Sequence, residues 1–273
     1  MSTKKKAKKK QVTKTKTKGK RMTKEVATKE QTPIAAMDAS HWEIPMVSSK
    51  DTIVPKIMLM QQMSPSVSDG AATMGELRDN LNNKLLGNAE EPLEIVPIMA
   101  ETVFQEFKGE GNEREYIRTY PVITDPTSFG YNDDLPYEGT NDEGASIIRD
   151  RVIQIYVLTV KDMEEQPAPL PYMMSFKSTS RRAGSMIVTQ MYRTNVAAGK
   201  VPPATVIKIS TSIEANAKKQ KYAVMIATPD RASTEKEIGC AFKWYKTINQ
   251  GGVKVQEDEV ASETPSSTKA DQF

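Results

Sequence analysis

The sequence predicts a β-rich α+β fold: an elaborated OB-like barrel, or an antiparallel sheet with two covering helices, between two disordered tails. About seven segments alternate apolar and polar residues as strands do, and two later segments have helical spacing. Both ends of the chain are charged and poor in apolar residues. We therefore expect a Lys-rich tail over 1–32, one β-rich domain over 33–252, and an acidic tail over 253–273.

The net charge of the 273-residue chain, +3, conceals opposite charges at its two ends. Residues 1–30 contain twelve Lys and one Arg against two Glu, and residues 256–273 carry a net charge of −4. The residues between them are slightly acidic, so a nucleic-acid surface there must be a local patch. The basic tail is expected either to bind phosphates without sequence preference or to serve as a solubilising or targeting segment.

Composition excludes several classes of site. Cys240 is the only cysteine, which rules out an intramolecular disulfide and fits a reducing compartment. No apolar run approaches the roughly 20 residues that span a bilayer, so we expect an intracellular protein without membrane contact. One His and one Cys cannot form a zinc site, and no phosphate-binding glycine loop is present. We expect no metal, no cofactor and no enzymatic activity, with a carboxylate-metal nuclease as the remaining catalytic alternative.

The most organised stretch is 53–87. Residues 53–59 alternate as a strand with one strongly apolar face, and Ser64-Pro65 and Asp69-Gly70 predict turns. A second strand is predicted at 76–81, and Asn82-Asn83 allows the chain to return through 84–86 as a hairpin.

This stretch also carries a resemblance. The run VPKIMLMQ at 54–61, followed by Ser64-Pro65, Gly70, GELRDN at 75–80 and Leu86-Gly87, resembles the opening of a group of tailed-bacteriophage proteins. These are usually regarded as single-stranded DNA-binding proteins. The resemblance implies single-stranded DNA as the partner, and a coating role during replication or recombination in the host cytoplasm.

Two strands in the middle of the chain are predicted next. Residues 93–104 read as a strand in which Pro97 indicates a sheet edge or a bulge. In 116–123, Tyr116, Arg118 and Tyr120 are expected on one face, as a platform on which bases stack. The alternative is ordinary cross-strand packing of the tyrosines around a salt-bridged arginine.

A long acidic loop and a central strand follow. The loop at 125–146 contains six carboxylates and no Lys or Arg, and is expected to be solvated or to compete with DNA for a basic groove. Residues 147–160 are apolar on both faces from Val152 onward, which predicts a central strand. Arg149 and Arg151 share one face where this strand begins.

A strand at 172–176, ending in Lys177, leads into a helix with a buried stripe at Ala183, Ile187, Met191 and Thr194. Ser180 is the predicted N-cap and Gly199 the stop. Arg181 and Arg182 oppose the helix dipole in the first turn, which favours an anion nearby.

The last elements are a hairpin and a helix. Residues 205–213 and 222–227 predict a hairpin whose tip is basic. Helix starts are predicted at Thr228-Pro229 and at Thr234 with Glu237. The buried stripe of that helix is expected at Ile238, Phe242, Tyr245 and Ile248, beside Cys240 and Trp244.

The first hypothesis is a sequence-independent single-stranded DNA-binding protein. Its predicted DNA contacts are the stacking stripe Tyr116, Arg118 and Tyr120 and the phosphate-binding residues Arg149, Arg151, Lys177, Arg181, Arg182, Lys218, Lys219 and Lys221. The acidic tail, with Asp271 and Phe273, resembles the tails through which such proteins engage replication partners, and is alternatively an ordinary disordered end. The second hypothesis is a virion structural or packaging-associated protein whose Lys tail neutralises DNA.

Overall fold

The computed structural model describes residues 53–109, 114–140, 144–250 and 254–255. These residues all lie within one compact unit, Met46–Phe273. Over these residues the fold is α+β and β-rich, with a curled open sheet that forms a half-barrel and with four α-helices. The predicted tail over 1–32 lies outside the described residues, as does most of the predicted tail over 253–273, of which only Lys254–Val255 is described and forms a short strand.

The strands and helices follow in chain order. The strands are β1 (Ile53–Val54), β2 (Lys56–Leu59), β3 (Leu77–Asp79), β4 (Leu85–Gly87), β5 (Leu93–Lys108), β6 (Glu115–Pro121), β7 (Glu138–Thr140), β8 (Ser146–Thr159), β9 (Tyr172–Phe176), β10 (Thr205–Ala215), β11 (Lys221–Ala232) and β12 (Lys254–Val255). The helices are α1 (Pro65–Ser68), α2 (Val160–Glu165), α3 (Arg181–Val188) and α4 (Glu235–Asn249).

Ten strands form the main sheet, in the order β11-β10-β5-β8-β9-β2-β3-β4, with β6 beside β5 and β7 beside β8. The sheet is mixed rather than wholly antiparallel, because β2 runs parallel to β9. Strands β1 and β12 form a separate parallel pair. The curled sheet ends at β4 and β11, so strand pairing among the described residues leaves the barrel open.

Two hydrophobic clusters are divided by the alternation of β8. Ile155 and Val157 belong to the first cluster, with Phe176 and Ile187. Tyr156 and Leu158 belong to the second, which packs against α4. Successive side chains of a strand point to opposite faces, and every residue from Val152 to Thr159 is buried. The prediction of a central strand is confirmed.

Two prolines lie within strands, where each lacks the N–H that strand pairing can use. Pro97 lies in β5 beyond the residues that pair with β10, 93–95, and a register shift in the pairing with β8 between Pro97 and Met99 forms the predicted bulge. Pro229 lies within β11 rather than at a helix start, so that prediction is wrong. Strand β11 is at the end of the sheet, where a residue without an N–H is tolerated.

Helix α3 is preceded by a 3₁₀ turn, Ser178–Ser180, and followed by a π-helical segment, Thr189–Asn195. Three of the four predicted stripe residues are buried, but Thr194 is exposed and Asn195 is buried in its place. The wider π turn accounts for this one-residue shift. Ser180 precedes α3, yet its hydroxyl accepts a hydrogen bond from the Met225 N–H, 3.2 Å away, instead of capping the helix.

The predicted capping box of α4 is present, with Thr234 and Glu237 exchanging hydrogen bonds. The predicted buried stripe is partly wrong, because Phe242 and Tyr245 are 54% and 41% exposed. The helix instead turns Ala241 and Trp244 toward the second cluster. The Trp244 indole N–H, 2.9 Å from the Pro169 carbonyl, fixes this rotation. Within the described ranges, no helix is long and apolar enough to cross a membrane.

Candidate nucleic-acid interface

The open side of the half-barrel is bridged by side chains. The amide of Gln61, just after β2, donates to the Ala223 carbonyl and accepts from the Ala223 N–H, both at 2.9 Å. The Thr211 hydroxyl on β10 donates to the Gly75 carbonyl at 2.6 Å. These bonds hold β11 and β10 close to the chain around β2 and β3, where no strand pairing joins them.

A cavity of about 690 Å³ lies beside this bridge. Its walls combine strand ends from β2, β5, β6, β9 and β11 with the 3₁₀ turn before α3. It is lined by Lys56, Ile57, Met58, Leu59, Gln61, Gln105, Phe107, Tyr116, Ser175, Lys177, Ser178, Thr179, Ser180, Tyr222, Ala223 and Met225. These lining residues include two lysines, three aromatic rings and neither Asp nor Glu, so the cavity suits an anionic ligand with a flat ring.

The aromatic part of the wall consists of Tyr116 and Phe107, with Lys177 beside it. The Tyr116 ring meets the Phe107 ring edge-on, with centroids 6.0 Å apart and an interplanar angle of 69°. The Lys177 ammonium lies 5.9 Å from the Phe107 centroid. The Tyr116 hydroxyl donates to the Thr119 hydroxyl at 2.9 Å. Both predicted site residues in this group, Tyr116 and Lys177, therefore line one cavity.

A bulge in β6 separates Tyr116 from Arg118. Tyr116 pairs with Phe107, but Arg118 pairs with Glu106, so Ile117 is an extra residue. Because adjacent residues of β5 face opposite sides of the sheet, the contacts of Tyr116 and Arg118 lie on opposite sides. The predicted single stripe is divided, and simple alternation along the sequence could not reveal the bulge.

Arg118, Tyr120 and Arg149 converge on Glu106 instead. The buried Glu106 carboxylate accepts hydrogen bonds from Arg118 Nε at 2.7 Å, Arg149 Nε at 2.8 Å and the Tyr120 hydroxyl at 2.9 Å. Burial alone would raise the pKa of Glu106, but the hydrogen bonds from the two arginines and the tyrosine outweigh it, and the pKa is lowered. The Arg118 guanidinium carbon also lies 5.2 Å from the Tyr120 ring centroid. Through these contacts the Glu106 carboxylate links β6 to β5 and β8.

Arg151 and Arg149 also hold the acidic loop that follows β6. Arg151 Nη1 lies 2.6 Å from the Asp133 carboxylate, and the backbone N–H of Arg149 donates to the Tyr137 carbonyl at 2.7 Å. Neither arginine is among the residues that line the cavity. Their contacts indicate a structural role in positioning the loop against β8.

The remaining predicted cations lie at the exposed surface. Arg181 and Arg182 are exposed in the first turn of α3, and Arg182 lines a second cavity of about 630 Å³. Thr179 and Met225 line both cavities, which are therefore adjacent.

Lys218, Lys219 and Lys221 are exposed at the tip of the β10–β11 hairpin, as predicted from the sequence. The Asn216 side chain organises this turn by accepting from the N–H groups of Lys218 and Gln220. Lys221 directly precedes Tyr222, which lines the first cavity.

Sequence reasoning missed several cavity residues. Lys56 is a buried cation on an otherwise apolar strand, and that anomaly was a usable signal. Gln61, Gln105 and Tyr222 carry no comparable signal, because only the folded chain brings them together. Asp271 and Phe273, the predicted tail contacts, lie outside the described residues. The described residues contain no cluster of His, Cys, Asp and Glu that could hold a metal ion.

A comparison with protein families shows which family the chain belongs to. A family model described as "Pam3 phage gp34-like protein" matches residues 28–254. Searches of curated proteins and of solved structures found no match. The family match covers most of the chain, including every described strand except the last residue of β12. The chain belongs to the family of Pam3 phage gp34-like proteins.

Proposed function

We propose that this phage protein binds single-stranded DNA without sequence preference and coats it during replication or recombination in the host cytoplasm. The observation that carries the proposal is the carboxylate-free cavity in which Tyr116 and Lys177 flank Phe107. An aromatic ring offers a stacking surface for any base, and a nearby ammonium offers a contact for the phosphate of the same nucleotide.

Tyr116 is the proposed stacking residue. Its ring is only partly exposed and is supported from one side by Phe107, so little side-chain freedom is lost when a base packs against it. The cavity volume, about 690 Å³, falls within the range of roughly 300–1,000 Å³ typical of small-ligand sites. The Gln105 amide adds a polar group that accepts or donates, as a site for different bases requires.

The proposed path of the strand runs from this cavity to the adjoining one. Lys177 would contact the first phosphate, and Arg182 a later one beside the second cavity. The hairpin lysines Lys218, Lys219 and Lys221 supply further contacts beyond Tyr222. Because these contacts are to phosphates, they carry no sequence information and depend strongly on salt.

Arg118, Tyr120, Arg149 and Arg151 have a supporting role in this proposal. Three of them are bonded to Glu106 and the fourth to Asp133. By holding β6 and the loop after it, they fix the strand that carries Tyr116. Arg181, exposed beside Arg182, remains a proposed phosphate contact. Asp271 and Phe273 remain the proposed contacts for replication or transcription proteins.

Fluorescence anisotropy tests the proposal directly. A labelled single strand and the duplex of the same sequence are titrated with the full chain and with a chain lacking residues 1–30. The proposal expects tighter binding to the single strand, retained by the shortened chain because the cavity lies in the folded part. Binding that disappears with residues 1–30, or that favours the duplex, would contradict it.

A second candidate is a virion structural or packaging-associated protein. It is favoured by an exposed apolar surface along α4, where Phe242 and Tyr245 face solvent, because such surfaces are typical of protein contacts. The Lys-rich segment over 1–32 would then neutralise packaged DNA. Detection of the protein at fixed stoichiometry in purified particles would support this candidate, and its absence from them would count against it.

A further inference from the structure

The loop between β6 and β7, residues 122–137, exposes the large hydrophobic side chains of Phe129, Leu135 and Tyr137, of which Phe129 is the most exposed. Its Phe129 is fully exposed, with a relative exposure of 104%. The loop is closed by Asn132, whose side chain accepts from the Ile123 N–H at 2.7 Å and donates to the Pro121 carbonyl at 3.1 Å. The Asp125 carboxylate accepts from Thr127 and Ser128 directly before Phe129.

The loop is also tied to the sheet. Asp133 pairs with Arg151, and the Tyr137 hydroxyl accepts from Arg114 at 2.9 Å. Phe129 is therefore held on a supported, hydrogen-bonded loop rather than on a free segment. Large aromatic side chains held rigidly at a surface are the residues that most often dominate binding energy at protein interfaces.

A matching apolar groove lies on another part of the same chain. It has a volume of about 590 Å³ and runs between α4 and the chain around Tyr192 and Val201. From α4 it is lined by Ile238, Phe242 and Tyr245, and from β5 by Ile98. The exposed fractions of Tyr192, Val201, Phe242 and Tyr245 all exceed two-fifths, so this surface has room for an inserted aromatic ring.

The charges around the two surfaces are complementary. The loop carries Asp125 and Asp134 and contains no Lys or Arg, while its Asp133 is already paired with Arg151. Beside the groove, the Lys246 ammonium lies 4.5 Å from the Phe242 ring centroid, and Lys200 and Lys243 are exposed next to lining residues. Glu235 is the single carboxylate among the described lining residues. An acidic loop with an aromatic tip fits this groove better than a basic or wholly apolar partner.

We propose that Phe129 of one copy of the chain inserts into the α4 groove of a second copy. Phe129 is fully exposed in its own chain, so it does not fill its own groove. The two surfaces differ, which makes the contact heterologous, and copies would add head to tail. Such addition goes beyond the proposed DNA binding and does not rest on it, although copies linked in this way would cover a strand cooperatively.

Sedimentation velocity of the full chain without DNA, over a series of concentrations, tests this proposal. Phe129→Ala removes the inserted ring. Gly239→Leu fills the groove, because a Cβ at Gly239 meets nothing within 4 Å and the residue lines the groove. Each variant is expected to weaken self-association by about 30-fold or more, the loss typical of an interface hot spot. Leu81→Ala, at an exposed residue of the β3–β4 turn, is the matched control and should associate as wild type.

Mixing the two variants gives the sharper result. The Phe129→Ala chain retains an open groove and the Gly239→Leu chain retains the ring, so the mixture should form one-to-one dimers and nothing larger. A wild-type chain that stays monomeric up to its solubility limit would overturn the proposal. So would self-association that both variants leave unchanged, whatever they do to DNA binding.

Discussion

The side-chain amide of Gln61 pairs with the backbone of Ala223 as a neighbouring strand would. It donates to the carbonyl and accepts from the N–H of that one residue, and both distances are 2.9 Å. One side chain thus joins the chain after β2 to strand β11 across the open side of the curled sheet. The cavity proposed to hold DNA lies directly beside this pair, and both residues line it.

Gln61→Ala should lower the free energy of unfolding by about 1–3 kcal/mol, because it leaves the N–H and carbonyl of Ala223 without their partner in a partly buried place. Urea unfolding followed by circular dichroism measures this change. Gln62→Ala, at the exposed neighbour, is the control and should be nearly neutral. Equal stability of the two variants would mean that the bridge contributes nothing to the fold.

Glu106→Gln should destabilise the protein by about 3 kcal/mol at neutral pH, because Arg149 then loses the charge that balances it. The folded-state pKa of Glu106 is lowered. Its ionised form therefore stabilises the fold above the unfolded-state pKa, about 4.3, and this stability is lost as the pH falls through the folded-state pKa.

The free energy of unfolding, measured across a pH series, checks the sign of this pH dependence. The difference in the free energy of unfolding between wild type and Glu106→Gln should be largest at neutral pH and should shrink below about pH 4. Glu115→Gln, at an exposed residue of β6, is the control. A difference that is constant across the whole range would show that the ionisation of Glu106 is not involved.

The hairpin lysines should contribute to DNA affinity through salt-dependent contacts only. Lys219 has a φ of 62°, so Asn, which tolerates this conformation, is the suitable replacement there. Lys218→Ala/Lys219→Asn should reduce the slope of log affinity against log salt by up to about 1.4 for a single strand. Lys161→Ala, at an exposed lysine of α2, should leave the slope unchanged. An unaltered slope in the double variant would remove the hairpin tip from the proposed path.

Two helical glycines should respond oppositely to Ala. A Cβ at Gly184 would lie 2.7 Å from the Phe176 Cβ, so Gly184→Ala should overpack the core and cost about 1–3 kcal/mol. Gly239 in α4 has open space around it, and Gly239→Ala should stabilise by roughly 0.5–1 kcal/mol. Thermal unfolding of both variants tests this. If Gly184→Ala proves neutral, the close packing of α3 on β9 does not need glycine.

Local patterns in the sequence located most of the elements. The alternation of 147–160 placed the central strand, the residues around 216–219 placed the hairpin tip, and Thr234 with Glu237 placed the start of α4. The sequence could not show the contacts between residues that are far apart in the chain. The parallel pairing of β2 with β9 depends on contacts more than a hundred residues apart. The rotation of α4 depends on Trp244 reaching Pro169.

The candidate site was predictable only in part, for the same reason. Tyr116 and Lys177 were predicted as DNA contacts from the sequence, and both line the cavity. Their separation from Arg118 and Tyr120 results from the bulge at Ile117, whose position is set by pairing with β5. The sequence could not show that Arg149 bonds to Glu106, because the two residues are 43 positions apart in the chain.

The most direct test of the account is the affinity of Tyr116→Ala for a single-stranded oligonucleotide, measured across a salt series. Loss of one stacking contact should weaken binding by about 5- to 150-fold at every salt concentration. The salt slope should stay at the wild-type value, because no phosphate contact is removed. Tyr116→Phe, which keeps the ring, should bind nearly as wild type. A folded Tyr116→Ala chain that binds as tightly as wild type throughout the series would contradict the proposed site.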